Sequence, residues 1–214
     1  MTKQLLSFVS ISLCLIFTSC TPHVGIVGSW KNAEKTVLPV YHNVFLATMM
    51  SDELISKKIQ TSLAKNFSEQ SVESTNSYSV FPEMYAEDSK KNRKDIFDKV
   101  NETKSEVILL VSTFDVEMEK DYSPNSSTQY TPSKVHTNME NFWSFYSNYR
   151  PRIYADDFSD DRVYYLEADL FDVKEDKLIW SIQTKTYNPT DLSKFTEGFA
   201  QTVVKEMKKD GIIE

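Results

Sequence analysis

The segment Val107–Val116 constrains the fold more than any other part of the chain. Ile108, Leu109, Leu110 and Val111 stand in succession, so both alternating faces of an extended strand are apolar. Such a strand belongs in the middle of a sheet that is covered on both sides. Covered sheets need helices beside them, which directs the reading toward a layered α/β domain.

The flanking segments alternate strand and helix patterns. Leu38–Thr48 reads as a buried strand, with Val40, Val44 and Leu46 on one face and Tyr41, Phe45 and Ala47 on the other. Ser51 is positioned to cap a helix that opens with Asp52 and Glu53, acidic residues suited to its positive end. Leu54, Ile55, Ile59, Leu63 and Phe67 form its apolar stripe. Val72–Phe81 alternates polar and apolar residues and is closed by Pro82. A second helix is predicted over about Ser89–Thr103, with Ile96, Phe97 and Val100 toward the core.

Beyond the central strand, residues 119–161 break the pattern with Pro124, Pro132 and Pro151 among Ser, Asn and Thr. Insertions of this length are uncommon in compact domains and often carry function. Val163–Val173 and Leu178–Tyr187 then read as an antiparallel hairpin turning at Lys174-Glu175-Asp176. Tyr164, Leu166, Ala168 and Leu170 share its one buried, apolar face; Glu167, Asp169, Ser181, Gln183 and Lys185 share the polar one, expected to face solvent. A last helix opens at Asn188-Pro189-Thr190-Asp191, with Asn188 as the expected cap. Leu192, Phe195, Phe199, Val203 and Met207 line its core face, basic residues suit its end, and Gly211 terminates it. The expected architecture is one mixed sheet of about five strands, in the order β-α-β-α-β, insertion, β-β-α, with helices packed on the sheet.

The first twenty residues carry a different signal. Lys3 precedes an apolar run from Leu5 to Phe17, followed by Thr18-Ser19-Cys20. This is the order of a secretory signal with a small-residue cleavage site. The run of about 13 residues is too short for a span of about 20. A cysteine directly after the small pair resembles the lipobox of bacterial lipoproteins. The resemblance implies cleavage before Cys20, a thioether from its sulfur to diacylglycerol, and acylation of the new amino terminus. Phe17 stands where that motif usually has Leu, a change that lipoboxes of the Bacteroidetes tolerate. Thr21 in place of Asp favours the outer membrane, and Thr21–Gly25 lacks the acidic residues of surface export signals, so the periplasmic face is expected. Cys14 leaves with residues 1–19, and no second cysteine remains to pair with Cys20. Residues 20–37 are read as the lipidated cysteine and a flexible tether, and 38–214 as a single domain.

Several function classes are set aside by composition. The formal net charge of −7 and the lack of a basic stripe argue against nucleic acid. With only 4 glycines, phosphate-cradling loops have no material. His23, His42 and His136 are scattered, and no metal-ligand spacing or nucleophile motif occurs, so neither a cofactor nor a metal is expected. Asp156, Asp157, Asp160 and Asp161 form a solvated acidic loop, a Ca²⁺ site or, least favoured, a glycosidase acid and base. Trp143, Phe145, Tyr146 and Tyr149 are the candidate binding residues: they fold back into the core, anchor a protein partner or stack on sugar rings.

A broader resemblance rests on Cys20, Trp30, Phe81-Pro82, Leu178-Ile179-Trp180-Ser181 and Gly211-Ile212-Ile213. The chain resembles a group of small Bacteroidetes lipoproteins, although their usual Arg before the first helix and Gly after it are missing. Its element order is similar to the α/β lipoprotein domains that activate peptidoglycan synthases and to the N-terminal domain of the Tol-system propeller protein. These resemblances imply a non-enzymatic adaptor for another envelope protein. The alternative is a binder of peptidoglycan or another envelope ligand, and a cell-wall hydrolase is less favoured. The oligomeric state is not legible.

Overall fold

The computed structural model describes residues 24–34, 38–50, 52–82, 93–118, 162–187, 189 and 191–214. They build one open mixed sheet with four helices packed against it, in agreement with the expected α/β class. The strands are β1 (Val24–Lys31), β2 (Asn43–Met49), β3 (Glu73–Asn76), β4 (Val107–Met118), β5 (Arg162–Asp172) and β6 (Lys177–Tyr187). The helices are α1 (Glu53–Glu69), the single turn α2 (Ser77–Val80), α3 (Arg93–Glu102) and α4 (Leu192–Lys209). Across the sheet the order is β1-β6-β5-β4-β2-β3. β2 runs parallel to β3 and β4, and the remaining neighbours are antiparallel.

The central placement of β4 follows from its composition. Val107, Ile108, Leu109, Leu110 and Val111 are all fully buried, and they divide between two cores. On one face Val107, Leu109 and Val111 meet α1 and α4 through Ile59, Leu63, Phe67, Phe199 and Val203. On the other, Ile108 and Leu110 join Phe45, Phe81, Val100 and Phe171. Burying each such side chain contributes about 1.5–3 kcal/mol.

The sheet has six strands rather than five. The extra strand is β1, which lies inside the segment read above as tether and pairs with β6 from Val24↔Thr186 to Lys31↔Trp180. A bulge between Ile26 and Gly28 breaks its alternation, which hides the strand from a period-two search. Its inner end is fastened by chemistry as well as pairing. The Asp210 carboxylate accepts from Trp180 Nε1 at 2.8 Å and from Lys31 Nζ at 2.7 Å, joining β1, β6 and the end of α4.

Other elements shift for local reasons. The strand expected over Leu38–Thr48 begins only at Asn43, while Leu38 and Tyr41 still reach the core. Val72–Phe81 divides into β3 and α2, because Ser79 Oγ turns back to the Asn76 carbonyl at 2.6 Å. Asp52, not Ser51, is the N-cap of α1 and accepts from Ile55 N. Asp191, not Asn188, caps α4 and accepts from Lys194 N. Leu54 and Phe97, read as core-facing, are 58% and 39% exposed. Gly211 ends α4 as expected, with φ +74°. Ile212 N donates to Met207 O and Gly211 N to Lys208 O, the paired bonds of a Schellman cap.

Candidate functional surfaces

The candidate residues Cys20, Trp143, Phe145, Tyr146 and Tyr149 lie outside the described residues, as do Asp156, Asp157, Asp160 and Asp161. The strands nevertheless locate where those segments attach. β4 ends and β5 begins as paired neighbours, Met118↔Arg162, so residues 119–161 leave and re-enter the sheet at one place. β6 terminates at the same end, Val163↔Tyr187, and β1 begins there, Val24↔Thr186. This is termed the insertion end. The opposite, turn end carries the β5–β6 turn.

The turn end is polar and tightly hydrogen-bonded. Asp172 Oδ1 accepts from Lys174 N at 2.9 Å and Glu175 N at 2.8 Å, which shapes the turn. Its Oδ2 accepts from Tyr41 Oη at 2.8 Å. Burial, then the Asp172 carboxylate, push the Tyr41 phenol far above its ordinary value. Tyr41 therefore remains a protonated donor throughout the ordinary pH range and is unsuited to proton exchange. Glu106 Oε2 accepts from His42 N and Asn43 N at 2.7 and 3.1 Å, holding the entry to β2. These bonds hold the β5–β6 turn and the entry to β2 in place. Beside them a groove of about 540 Å³ runs along the β3 edge, lined by Asn43, Ser71, Glu73, Thr75 and Thr103.

Two further polar groups were missed by pattern. Gln60 of α1 is fully buried, donates through Nε2 to Thr48 Oγ1 at 2.8 Å and accepts at Oε1 from Ser77 Oγ at 3.2 Å. This relay joins α1, β2 and α2. The polar face of the hairpin is also buried: Glu167, Asp169, Ser181 and Gln183 are at most 7% exposed. Its alternation was legible, but its expected exposure was wrong. β5 and β6 are interior strands, and a two-stranded reading could not show cover on the second face.

Between helices, Glu197 of α4 accepts from Lys65 Nζ at 2.9 Å, and from Asn66 and Gln201. Partial burial pulls its carboxyl upward, but these hydrogen bonds outweigh burial and hold it below the usual carboxylate range. The Lys65 ammonium is correspondingly raised by its bond to Glu197. Among the described residues no group of three His, Cys, Asp or Glu side chains is placed to hold a metal ion. No helix among them is long and apolar enough to cross a membrane.

The geometry defines a mixed α/β domain whose insertion and first strand meet at one end. No protein-family model matches the chain, and no curated protein matches it. Solved structures give distant likenesses. The PelC dodecamer from Paraburkholderia phytofirmans aligns at TM-score 0.42 and 7% identity, over 87% of this chain and 99% of that one. Lipoprotein GNA1162 from Neisseria meningitidis aligns at TM-score 0.38 and 12% identity, over 78% and 96%. A PDZ domain protein from Parabacteroides distasonis aligns at TM-score 0.37 and 8% identity, over 85% of this chain but 37% of that one. Likenesses at this level carry nothing about activity.

Proposed function

We propose that the chain is a lipoprotein of the bacterial envelope, acylated at Cys20, that works as a non-enzymatic adaptor for another envelope protein. The observation that carries the reading is the order at the start of the chain: Lys3, the short apolar run Leu5–Phe17, two small residues, then Cys20. Thr21 and the lack of acidic residues after Cys20 support an outer-membrane position on the periplasmic face. The element order read from the sequence, which is similar to that of peptidoglycan-synthase-activating lipoprotein domains, supports a binding role by analogy of fold. Residues 119–161 supply the partner surface, with Trp143, Phe145, Tyr146 and Tyr149 as its anchors.

In-cell cross-linking of the tagged lipoprotein, followed by mass spectrometry, tests this reading. A discrete envelope protein linked near residues 119–161 is the expected result. Recovery that falls with Trp143→Ala or Tyr146→Ala, at unchanged circular dichroism, assigns the surface. Unchanged recovery removes it. The glycan alternative uses the same aromatic rings and predicts saturable quenching of tryptophan fluorescence by muropeptides, so a flat titration ends it.

A further inference from the structure

The two edges of the sheet are built differently. β1 forms one, and its ladder is broken by the bulge between Ile26 and Gly28. β3 forms the other, and its register with β2 runs unbroken from Asn43↔Glu73 to Leu46↔Asn76. Bulges, prolines and lysines are common means by which a sheet edge refuses another strand. Glu73-Ser74-Thr75-Asn76 contains none of them.

The ladder fixes which backbone groups of β3 face outward. Glu73 N–H donates to the His42 carbonyl at 2.8 Å, so the backbone groups of Glu73 turn toward β2. Along a strand these groups point alternately to the two sides. Thr75 therefore also faces β2, whereas Ser74 N–H and C=O and Asn76 N–H point to the open side. The Asn76 carbonyl is already met by Ser79 Oγ at 2.6 Å. Among the described residues no strand lies on that side.

The groove of about 540 Å³ lies along this edge, so the space beside β3 is open. Ser68, Ser71, Ser74 and Thr75 bring hydroxyls to its wall, and Glu73 is the one charged side chain among its described lining residues. Among the described residues, no hydrogen bond or ion pair engages these side chains. The groove also lies between two helix ends. Ser68 belongs to the last turn of α1, which holds no basic residue, and Thr103 follows directly on α3. The carbonyl ends of helices carry partial negative charge. Lys99, in the last turn of α3, is drawn over the Phe81 ring, 5.8 Å from its centroid. The exposed charges next in sequence to the lining residues are Glu69, Glu102 and Lys104, so with Glu73 the acidic sign prevails.

We propose that the β3 edge accepts an extended, basic segment of a partner protein as a seventh strand of the sheet. Backbone hydrogen bonds to Ser74 and Asn76 hold that strand, and a Lys or Arg side chain on it pairs with Glu73. The site goes beyond the adaptor surface at residues 119–161, which attach at the insertion end, and does not depend on acylation of Cys20. β3 has only 4 residues, so the ladder it offers is short and the contact is exchangeable rather than permanent.

The test titrates acetylated and amidated Thr-Lys-Thr-Lys-Thr into the isotope-labelled Cys20→Ser chain and follows assigned backbone amides. The expected result is a saturable shift at Ser74 and Asn76, with hydrogen exchange at Ser74 slowed roughly fivefold or more. The peptide with Glu in place of Lys binds at least about threefold more weakly, and Glu73→Lys reverses that order. N-methylation of the central peptide residues abolishes the shift, since it removes the donors of the added strand. Glu73 is exposed, so its substitution leaves the fold intact, which circular dichroism checks. An unshifted Ser74 amide at millimolar peptide overturns the proposal. So does a response that survives N-methylation or is equal for the two peptides. A Ser74 amide already protected in the free chain assigns the edge to the chain's own residues, and protection that rises with protein concentration assigns it to a second copy. Either result also overturns the proposal.

Discussion

The buried Gln60 relay gives a quantitative test of how α1, β2 and α2 are locked together. Gln60→Leu preserves most of the side-chain volume but removes both hydrogen bonds, those to Thr48 and from Ser77. Ser77 is 1% exposed, so water does not replace its acceptor cheaply. An average hydrogen bond contributes about 1 kcal/mol, and stranding a buried donor costs about 1–3 kcal/mol. The expected destabilisation is thus roughly 2–4 kcal/mol. For a domain of this size that lowers Tm by roughly 5–15 °C. Gln60→Ala is worse by a further 1–2 kcal/mol or about that, since it also opens a cavity. Urea unfolding followed by circular dichroism, on a Cys20→Ser chain kept free of lipid, measures each value. Adding Ser77→Ala to Gln60→Leu removes the stranded hydroxyl and recovers about 1 kcal/mol relative to the sum of the single changes. A Gln60→Leu protein within about 0.5 kcal/mol of the parent, or strict additivity in the pair, refutes the relay as a stabilising device.

The Lys65–Glu197 bond makes stability depend on pH in a defined direction. The folded carboxyl titrates below its ordinary value, so its contribution is complete above the unfolded carboxylate range and disappears as pH falls through the folded value. Glu197→Gln therefore lowers the urea midpoint at neutral pH, and the gap closes in acid; a gap that is constant with pH contradicts the assignment. At Gly211 an added Cβ meets nothing within 4 Å, so Gly211→Ala reports backbone strain at φ +74° alone. It destabilises by about 1–2 kcal/mol in the same unfolding assay, and a stabilised protein counts against the Schellman cap.

Much of the architecture was legible because it is written locally. The run Ile108–Val111 announces a strand covered on both faces, and Lys174-Glu175-Asp176 between two alternating segments announces a hairpin. The α4 terminus was readable from Gly211 after a lysine-rich last turn. What escaped depends on partners far away in sequence. β1 acquires its identity from pairing with β6, and its bulge at Val27 erases the alternation that marks a strand. Glu167 and Asp169 alternate with apolar neighbours like any solvated face, and only their interior position in the sheet reveals their burial. The cap errors are of another kind. Ser51 and Asp52 compete for one cap, as do Asn188 and Asp191, and composition alone does not rank them. For the candidate surfaces, Cys20 and the aromatic residues at 143–149 lie outside the described residues. The strand register shows the sheet end at which their segments attach.

The pairing of β1 with β6 also orders events in time. The first strand of the chain finds its place only when nearly the last strand is present, so the loop closed by that contact takes in almost the whole domain. A chain that emerges amino terminus first holds Val24–Lys31 unpaired until Tyr187 has followed it out. The sheet then closes over its own beginning as a final step. Slow joining of β1, after fast formation of the β4–β5–β6 core, is the kinetic signature this topology implies.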